Sequence, residues 1–275
     1  MKEFFGWDGY AREPEGYMSW QHLLFVTSLM VIMVAMAIWL GRRVRGLEDK
    51  QKNKVLIWAA LLIDGFEIFK IIIFGLRSDD PMFWTRLLPL FLCSIQLITI
   101  PMAAFCKGRL KEAALDFVFI FGMLGAVLGT YGAGQNYAAY PVLGFDNMVS
   151  GITHAISGFA SLYIAISGLL SMKKRNVWIT FSILGGFCVA AYIANVLISY
   201  NYMFLMYHDG TPYSIFYDLV NGHPVFYPVV VVLLFLVYIT VVYLVHFFIQ
   251  KKRTVPTSEI AAQEEKQEEK IYQYQ

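Results

Sequence analysis

Seven apolar stretches of about twenty residues divide this chain, and its positive charge stands at every second junction between them. Seventeen of the 22 Lys and Arg residues fall into four clusters: Arg42–Lys54, Lys107–Lys111, Lys173–Arg175, and Lys251–Arg253 with Lys266 and Lys270 beyond it. The intervening loops at 132–147 and 202–224 hold no Lys or Arg. About 20 apolar residues cross roughly 30 Å of hydrocarbon as a helix, and Lys and Arg are retained on the cytoplasmic side. The pattern predicts an all-α, polytopic membrane protein with seven transmembrane helices, its N-terminus outside and its C-terminus cytoplasmic. A content of 58% hydrophobic and 15% charged residues excludes an ordinary soluble domain. No nucleic-acid partner is expected. The first 18 residues are polar and aromatic and the first apolar run is a full span, so no cleaved signal peptide is expected. Cys93, Cys106 and Cys188 lie in or beside apolar runs, which argues against a disulfide framework.

The expected spans run from about Trp20 to Leu40, Val55 to Leu76, Phe83 to Phe105, Ala113 to Tyr131, Met148 to Leu170, Trp178 to Tyr200 and Val225 to Ile249. They divide the chain into an extracellular segment (1–18), a transmembrane domain (19–250) and a charged cytoplasmic tail (251–275). Span three contains Pro89 and Pro101. Span four carries Gly122, Gly125 and Gly129 along one side, a spacing that suits close helix packing. Span two holds Asp64, Glu67 and Lys70 within two turns, and ionisable residues in lipid are costly enough to need a reason.

With this orientation most polar residues of the spans share the outer half. Cys93 lies about 15 Å below the outer end of span three, and His154 about 9 Å down span five, at 1.5 Å per residue. Glu67 and Lys70 occupy the middle to outer part of span two, with His22 and Asn201 at the outer ends of spans one and six. A polar chamber opening outward or sideways into the outer leaflet is the economical arrangement. Glu67 and Lys70, three residues apart, serve equally well to neutralise one another. A lone membrane Cys is most often an apolar filler, which suits Cys106 and Cys188. Cys93 differs in its setting. Pro89 breaks the helix ladder one turn before it, and a freed backbone group in lipid persists only inside protein or beside a wet cavity. Cys93 and Ser94 are therefore expected on a locally opened helix. A Cys beside a His supports nucleophilic catalysis: the imidazole takes the thiol proton, and the thiolate attacks a carbonyl to give an acyl-enzyme. No His, Cys and carboxylate set shows metal-ligand spacing, and no cofactor is expected.

The same residues carry a resemblance. Ser19-Trp20-Gln21-His22-Leu23, Leu88-Pro89-Leu90-Phe91-Leu92-Cys93, Gly151-Ile152-Thr153-His154 and Asn201-Tyr202-Met203-Phe204-Leu205, followed by Pro212 and Ser214, stand in that order along the chain. With these stretches, over about residues 17 to 250, the chain resembles the YwaF-type family of bacterial integral membrane proteins. That family is related to the eukaryotic transmembrane protein 164 phospholipid acyltransferases. The resemblance implies a catalytic Cys and His, carried here onto Cys93 and His154. The family pattern Leu-Pro-Leu-His-Leu-Cys-Asp is met with Phe91 and Ser94 in place of its His and Asp. Asn221-Gly222-His223-Pro224 stands where Gly-Pro-Trp-Pro is expected.

The leading expectation is a lipid acyltransferase of the bacterial plasma membrane, with membrane lipids as substrates and a lipid hydrolase as its close variant. Cys93 and His154 are the catalytic pair, and His22, Glu67, Lys70, Ser94, Gln96, Asn201 and Tyr202 bind substrate or support it. The alternative is a small-molecule transporter or permease using Glu67 and Lys70, for which the three ionisable residues of span two argue and the lack of an internal repeat argues against. A retinal-type receptor is excluded because span seven has no Lys for a Schiff base.

Overall fold

The computed structural model describes residues 2–253, and among these every regular element is a helix. The long helices are α1 (Trp20–Val44), α2 (Asp49–Arg77), α4 (Gly108–Tyr131), α6 (Phe145–Ser167), α7 (Val177–Ile198) and α9 (Phe226–Arg253). Shorter ones are α3 (Gln96–Phe105), α5 (Gly134–Ala139) and α8 (Ser214–Leu219). Five stretches are long and apolar enough to cross a membrane: Trp20–Val44, Gly108–Ala139, Phe145–Ser167, Lys174–Ile198 and Phe226–Lys251. The chain is thus a multi-pass membrane protein. α2, at 29 residues, has the length but also Asp64, Glu67 and Lys70, which keep it out of that group. The charged tail expected at 251–275 lies, from residue 254 onward, outside the described residues.

The third apolar run departs from a continuous helix over Phe83–Phe105. It folds as a 3-10 turn at Phe83–Arg86, irregular chain, and α3 from Gln96. Pro89 has no N–H for a helix bond and disfavours helical backbone in the residue before it. Turn-type bonds replace the ladder, Leu90 N to Leu88 O at 2.8 Å and Gln96 N to Cys93 O at 3.3 Å.

Contacts sort the helix ends into two sets. At one end, the His22 ring meets the Thr130 carbonyl at 3.2 Å, Tyr17 donates to Tyr131 O at 2.9 Å, and Arg77 grips Asp146. These bring together the starts of α1 and α6 and the ends of α2 and α4. At the other end, Asn53 donates to Ala104 O at 2.7 Å, Lys111 to Asn53 at 2.6 Å, and Lys173 pairs with Glu112 at 2.6 Å. Buried Asp116 accepts from Met172 N at 2.8 Å, Asn176 at 2.9 Å and Tyr243 at 2.9 Å, tying α4, the 171–176 loop and α9 together there. The described members of the basic clusters gather at this second end.

The central pair is α4 and α6, which approach closely because small residues face one another. A Cβ on Gly122 would meet the Ser157 carbonyl at 2.7 Å, and one on Gly158 the Ala126 Cβ at 2.7 Å. Ser161 adds an interhelical bond to Phe119 O at 2.7 Å.

Residues 2–18 form a strap across the first end. Phe145 N donates to Phe4 O at 2.9 Å, and Val142 N to Glu15 at 2.8 Å. Arg77 donates to Phe5 O at 2.8 Å while holding both Asp146 oxygens, and the Tyr10 hydroxyl donates to the same carboxylate. Phe5 packs edge-on against Phe69 and beside Phe145. Burial, reinforced by Asp146, pushes the Tyr10 phenol up to about 12.

Candidate active site

The irregular chain before α3 brings Cys93 and Ser94 between α2 and α6. A cavity of about 40 Å³ opens there, lined on α2 by Ile63, Glu67 and Lys70 and on α6 by Ser150, Thr153, His154 and Ser157, with Leu97 of α3. It has room for about one water molecule. A larger groove of about 680 Å³ along α1, at Ala35, Trp39 and Arg42, is open surface with no nucleophile or base.

His154 is oriented from its own helix. Its Nδ1 lies 2.7 Å from the Ser150 carbonyl, one turn back. A carbonyl only accepts, so Nδ1 carries a proton, and in the neutral form of the ring the lone pair is at Nε2. That Nε2 is buried and has no hydrogen-bond partner. The Cys93 thiol and the imidazole line the same cavity, and no bond of ordinary hydrogen-bond geometry closes between them. Sγ stands 4.0 Å from Ser94 Oγ. A thiol and an imidazole on one cavity are the groups that a proton transfer from sulfur to nitrogen requires, and such bonds often close only once substrate binds.

α4 forms the floor. An ideal Cβ on Gly129 would stand 1.9 Å from His154 Cδ2 and 2.0 Å from Nε2, so the ring rests against bare backbone. One turn earlier Gly125 underlies Cys93, with 3.5 Å from its ideal Cβ to the Cys93 Cβ. The Gly125–Gly129 spacing that reads in sequence as helix packing thus also seats Cys93 and His154. Glu67 and Lys70 form an ion pair at 2.7 Å in the cavity wall.

The remaining sequence candidates do not line the cavity. Tyr202 is fully buried, and its hydroxyl donates to Thr85 O and accepts from Leu88 N at 3.2 Å. Its backbone is held by Asn195, N–H to Oδ1 at 2.6 Å and carbonyl from Nδ2 at 3.0 Å. Met203 and Phe204 beside it adopt left-handed backbone at φ 55° and 56°, which non-glycine residues seldom tolerate. Tyr202 is therefore a clamp on the irregular segment, the internal partner that freed backbone groups need in lipid. Phe91 packs against the same clamp, its ring 5.0 Å from that of Tyr202. Asn201 organises the following loop through Tyr207 O at 2.9 Å and Met206 N at 3.0 Å. His22 uses both ring nitrogens, toward Thr130 O and from Met18 N, each at 3.2 Å, and ties α1 to α4. Gln96 is buried on α3, accepting from Thr99 at 3.1 Å, with its Nε2 unpartnered.

Sequence reasoning missed Ser150, whose contribution is a backbone carbonyl that any residue supplies, and the clamp role of Tyr202. It also missed the strap, whose polar and aromatic residues follow no periodicity. Among the described residues no group of three His, Cys, Asp or Glu side chains is placed to hold a metal ion.

Set against known proteins, the chain matches no curated protein and no solved structure. The family model of the TMEM164 family matches residues 17–249, from just before α1 into the last turns of α9. By that match across its helical body, the chain belongs to the TMEM164 family.

Proposed function

We propose that this protein is a membrane-embedded lipid acyltransferase working through a Cys93 thioester. The observation that carries the proposal is the buried, unpartnered Nε2 of His154, on a ring fixed by the Nδ1 bond to Ser150 and lining the same cavity as Cys93. His154 Nε2 takes the Cys93 proton, and the thiolate attacks the ester carbonyl of a donor phospholipid. The ester C–O bond breaks, the lysolipid oxygen takes the proton back from His154, and the acyl group stays on sulfur. An acceptor hydroxyl then gives its proton to Nε2 and attacks the thioester, so that the C–S bond breaks and the thiolate is reprotonated. With water as acceptor, the same steps give a hydrolase.

A cavity of about 40 Å³ is far below the roughly 300–1,000 Å³ of enclosed small-molecule sites. This favours a substrate whose tails stay in lipid while only its ester enters. Two of the three ionisable residues that would otherwise argue for a transporter, Glu67 and Lys70, form an ion pair that lines this same cavity, which favours the acyl-transfer reading. The two sets of helix ends fit seven crossings, with α2 and the residue 83–105 segment each counted as one. The gathered basic clusters fit a cytoplasmic second end. On this proposal residues 1–18 lie outside, 19–250 form the membrane domain, 251–275 lie in the cytoplasm, and the membrane is the bacterial plasma membrane.

The test is acylation of purified protein with acyl-labelled phosphatidylcholine. A hydroxylamine-sensitive label is expected on Cys93. Cys93→Ala and His154→Ala should each abolish transfer while the protein stays folded, with little further loss in the double variant. Cys106→Ala and Cys188→Ala should be silent. Label retained on Cys93→Ala would sink the proposal.

A further inference from the structure

The cavity beside Cys93 is closed toward the two ends of the bundle by different means. Inward, Ile63 is 2% exposed in the core shared by α2, α3, α4 and α6, and Ser157 donates to Gly122 O at 3.3 Å. Toward the strap end, the closure comes from the strap itself. Phe5 and Trp7 are half-buried and pack in one apolar cluster with Phe66, Ile73, Phe145 and Val149. Phe66 and Val149 immediately precede the cavity-lining Glu67 and Ser150, so this plug abuts the cavity. It extends away from it: Phe145 lies about 7.5 Å nearer the strap end than Ser150, and Ile73 about 4.5 Å nearer than Lys70, at 1.5 Å per residue. Arg77 seats the plug by holding Phe5 O and Asp146. Gly6 between the two aromatics is buried with left-handed backbone at φ 63°, and a Cβ there would stand 2.7 Å from Arg77 Nη1. Between the two closures Glu67 and Lys70 keep 13% and 20% of their side-chain surface exposed. Beside them α2 exposes Ile68 and Ile72, an apolar flank suited to lipid. The approach left open is sideways.

We infer that the strap selects the acceptor of this site: Phe5 and Trp7 close its outer end to water, so that an acyl group on Cys93 is kept for a hydroxyl arriving from lipid. The inference rests on the acyl-transfer reading for the thioester itself. Water at the thioester would give one proton to His154 Nε2 and bond its oxygen to the acyl carbon. The C–S bond would break, a free fatty acid would leave, and the thiolate would take the proton back from His154. A cavity with room for about one water admits that reaction, so water has to be stopped on the approach. Shielding a reactive intermediate from water is what a closed site provides. Phe5 and Trp7 touch no reacting atom in this scheme and act on access alone.

The test compares two routes to one thiol. Full-length protein carrying Cys106→Ala and Cys188→Ala leaves Cys93 as its single thiol. In nanodiscs its alkylation is timed with iodoacetate, which stays in water, and with N-ethylmaleimide, which partitions into lipid. Phe5→Ser with Trp7→Ser is expected to speed iodoacetate by at least about tenfold, the gain in strap opening from losing about one buried aromatic side chain. The N-ethylmaleimide rate should stay nearly unchanged. Gly6→Val, which lifts the strap from Arg77 through a different contact, should do the same. Given acyl-labelled phosphatidylcholine and a lysolipid acceptor, both variants should release a larger share of the label as free fatty acid. Iodoacetate rates that are equal with and without the plug, or a fatty-acid share that does not rise, overturn the inference. So does an equal rise with both reagents, the mark of a generally loosened protein. Failure of the labelled lipid to acylate Cys93 overturns the acyltransferase proposal instead and leaves the closure read by alkylation standing.

Discussion

Gly129→Ala is the sharpest perturbation the site offers, because it adds one methyl group against the proposed base. The new Cβ would lie 1.9 Å from His154 Cδ2 and 2.0 Å from Nε2, where ordinary contact begins at 3.4 Å. The ring must therefore retreat by about 1.5 Å, a distance set against the roughly hundredfold rate cost of a 1 Å misplacement near reacting atoms. Retreat also strains the 2.7 Å bond from Nδ1 to Ser150 that sets the tautomer. The expected result is a loss of acyl transfer of at least about a hundredfold. Two neighbouring glycines serve as controls. Gly125→Ala meets Cys93 at an ordinary 3.5 Å and should cost little. Gly122→Ala meets the Ser157 carbonyl at 2.7 Å, backbone that cannot swing away, and should lower stability by about 1–3 kcal/mol. The assay pairs initial rates of acyl transfer with thermal unfolding of the same samples. If Gly129→Ala keeps a third or more of the wild-type rate, the imidazole does not act from the position it occupies here.

Removing Lys70 alone (Lys70→Met) leaves the half-buried Glu67 without its partner and should destabilise by about 3 kcal/mol, while Glu67→Leu with Lys70→Met should be near neutral; a thermal cycle without coupling refutes the pairing. Tyr202→Phe strips the hydroxyl from the Thr85 carbonyl and Leu88 N–H and should cost about 1–3 kcal/mol in thermal unfolding; an unchanged transition rules out the clamp. Tyr10 is held up near 12, above the ordinary phenol value of 10.0, so docking of the strap favours its protonated form. The stability it lends is complete below pH 10 and is lost as pH rises toward 12. Phenolate absorbance of the native chain minus that of Tyr10→Phe should accordingly titrate near 12, and titration near 10 contradicts the docked strap. Cysteines placed at Gly134 and Thr211 should react with an impermeant reagent from outside the cell, and one at Gln51 should not; the reverse pattern ends the proposed orientation.

The five strongly apolar helices were legible because an unbroken run of apolar residues needs only composition to identify it. α2 was legible from the position of its apolar run, despite the charges that set it apart. The third run was half legible. Pro89 announces a weak helix, but the extent of irregular chain is fixed by Tyr202, 114 residues beyond Leu88, and local sequence carries no trace of that partner. Depth along a helix was readable, and it placed Cys93, His154, Glu67 and Lys70 in one layer. Rotation about the helix axis was not. His22 and Asn201 sit at expected depths yet turn their polar atoms to neighbouring backbone. Position 91 illustrates the same limit: its ring packs on the Tyr202 clamp and outside the cavity lining, so the Phe found there takes no polar group from the thiol's surroundings.

The Tyr202 clamp also bears on the order in which the site comes into being. A nascent chain that has inserted α6 already holds both Cys93 and His154, but Asn195 and Tyr202 have not yet been made. Until α7 enters the bilayer and the turn after it closes, the Thr85 carbonyl and Leu88 N–H lack the phenol that pins them. The thiol then rides on a segment that has its own turn-type bonds but lacks the tie from Tyr202. On the proposed mechanism reactivity is thereby postponed to the last third of translation, and a stalled or truncated product carries Cys93 without the clamp that positions its segment.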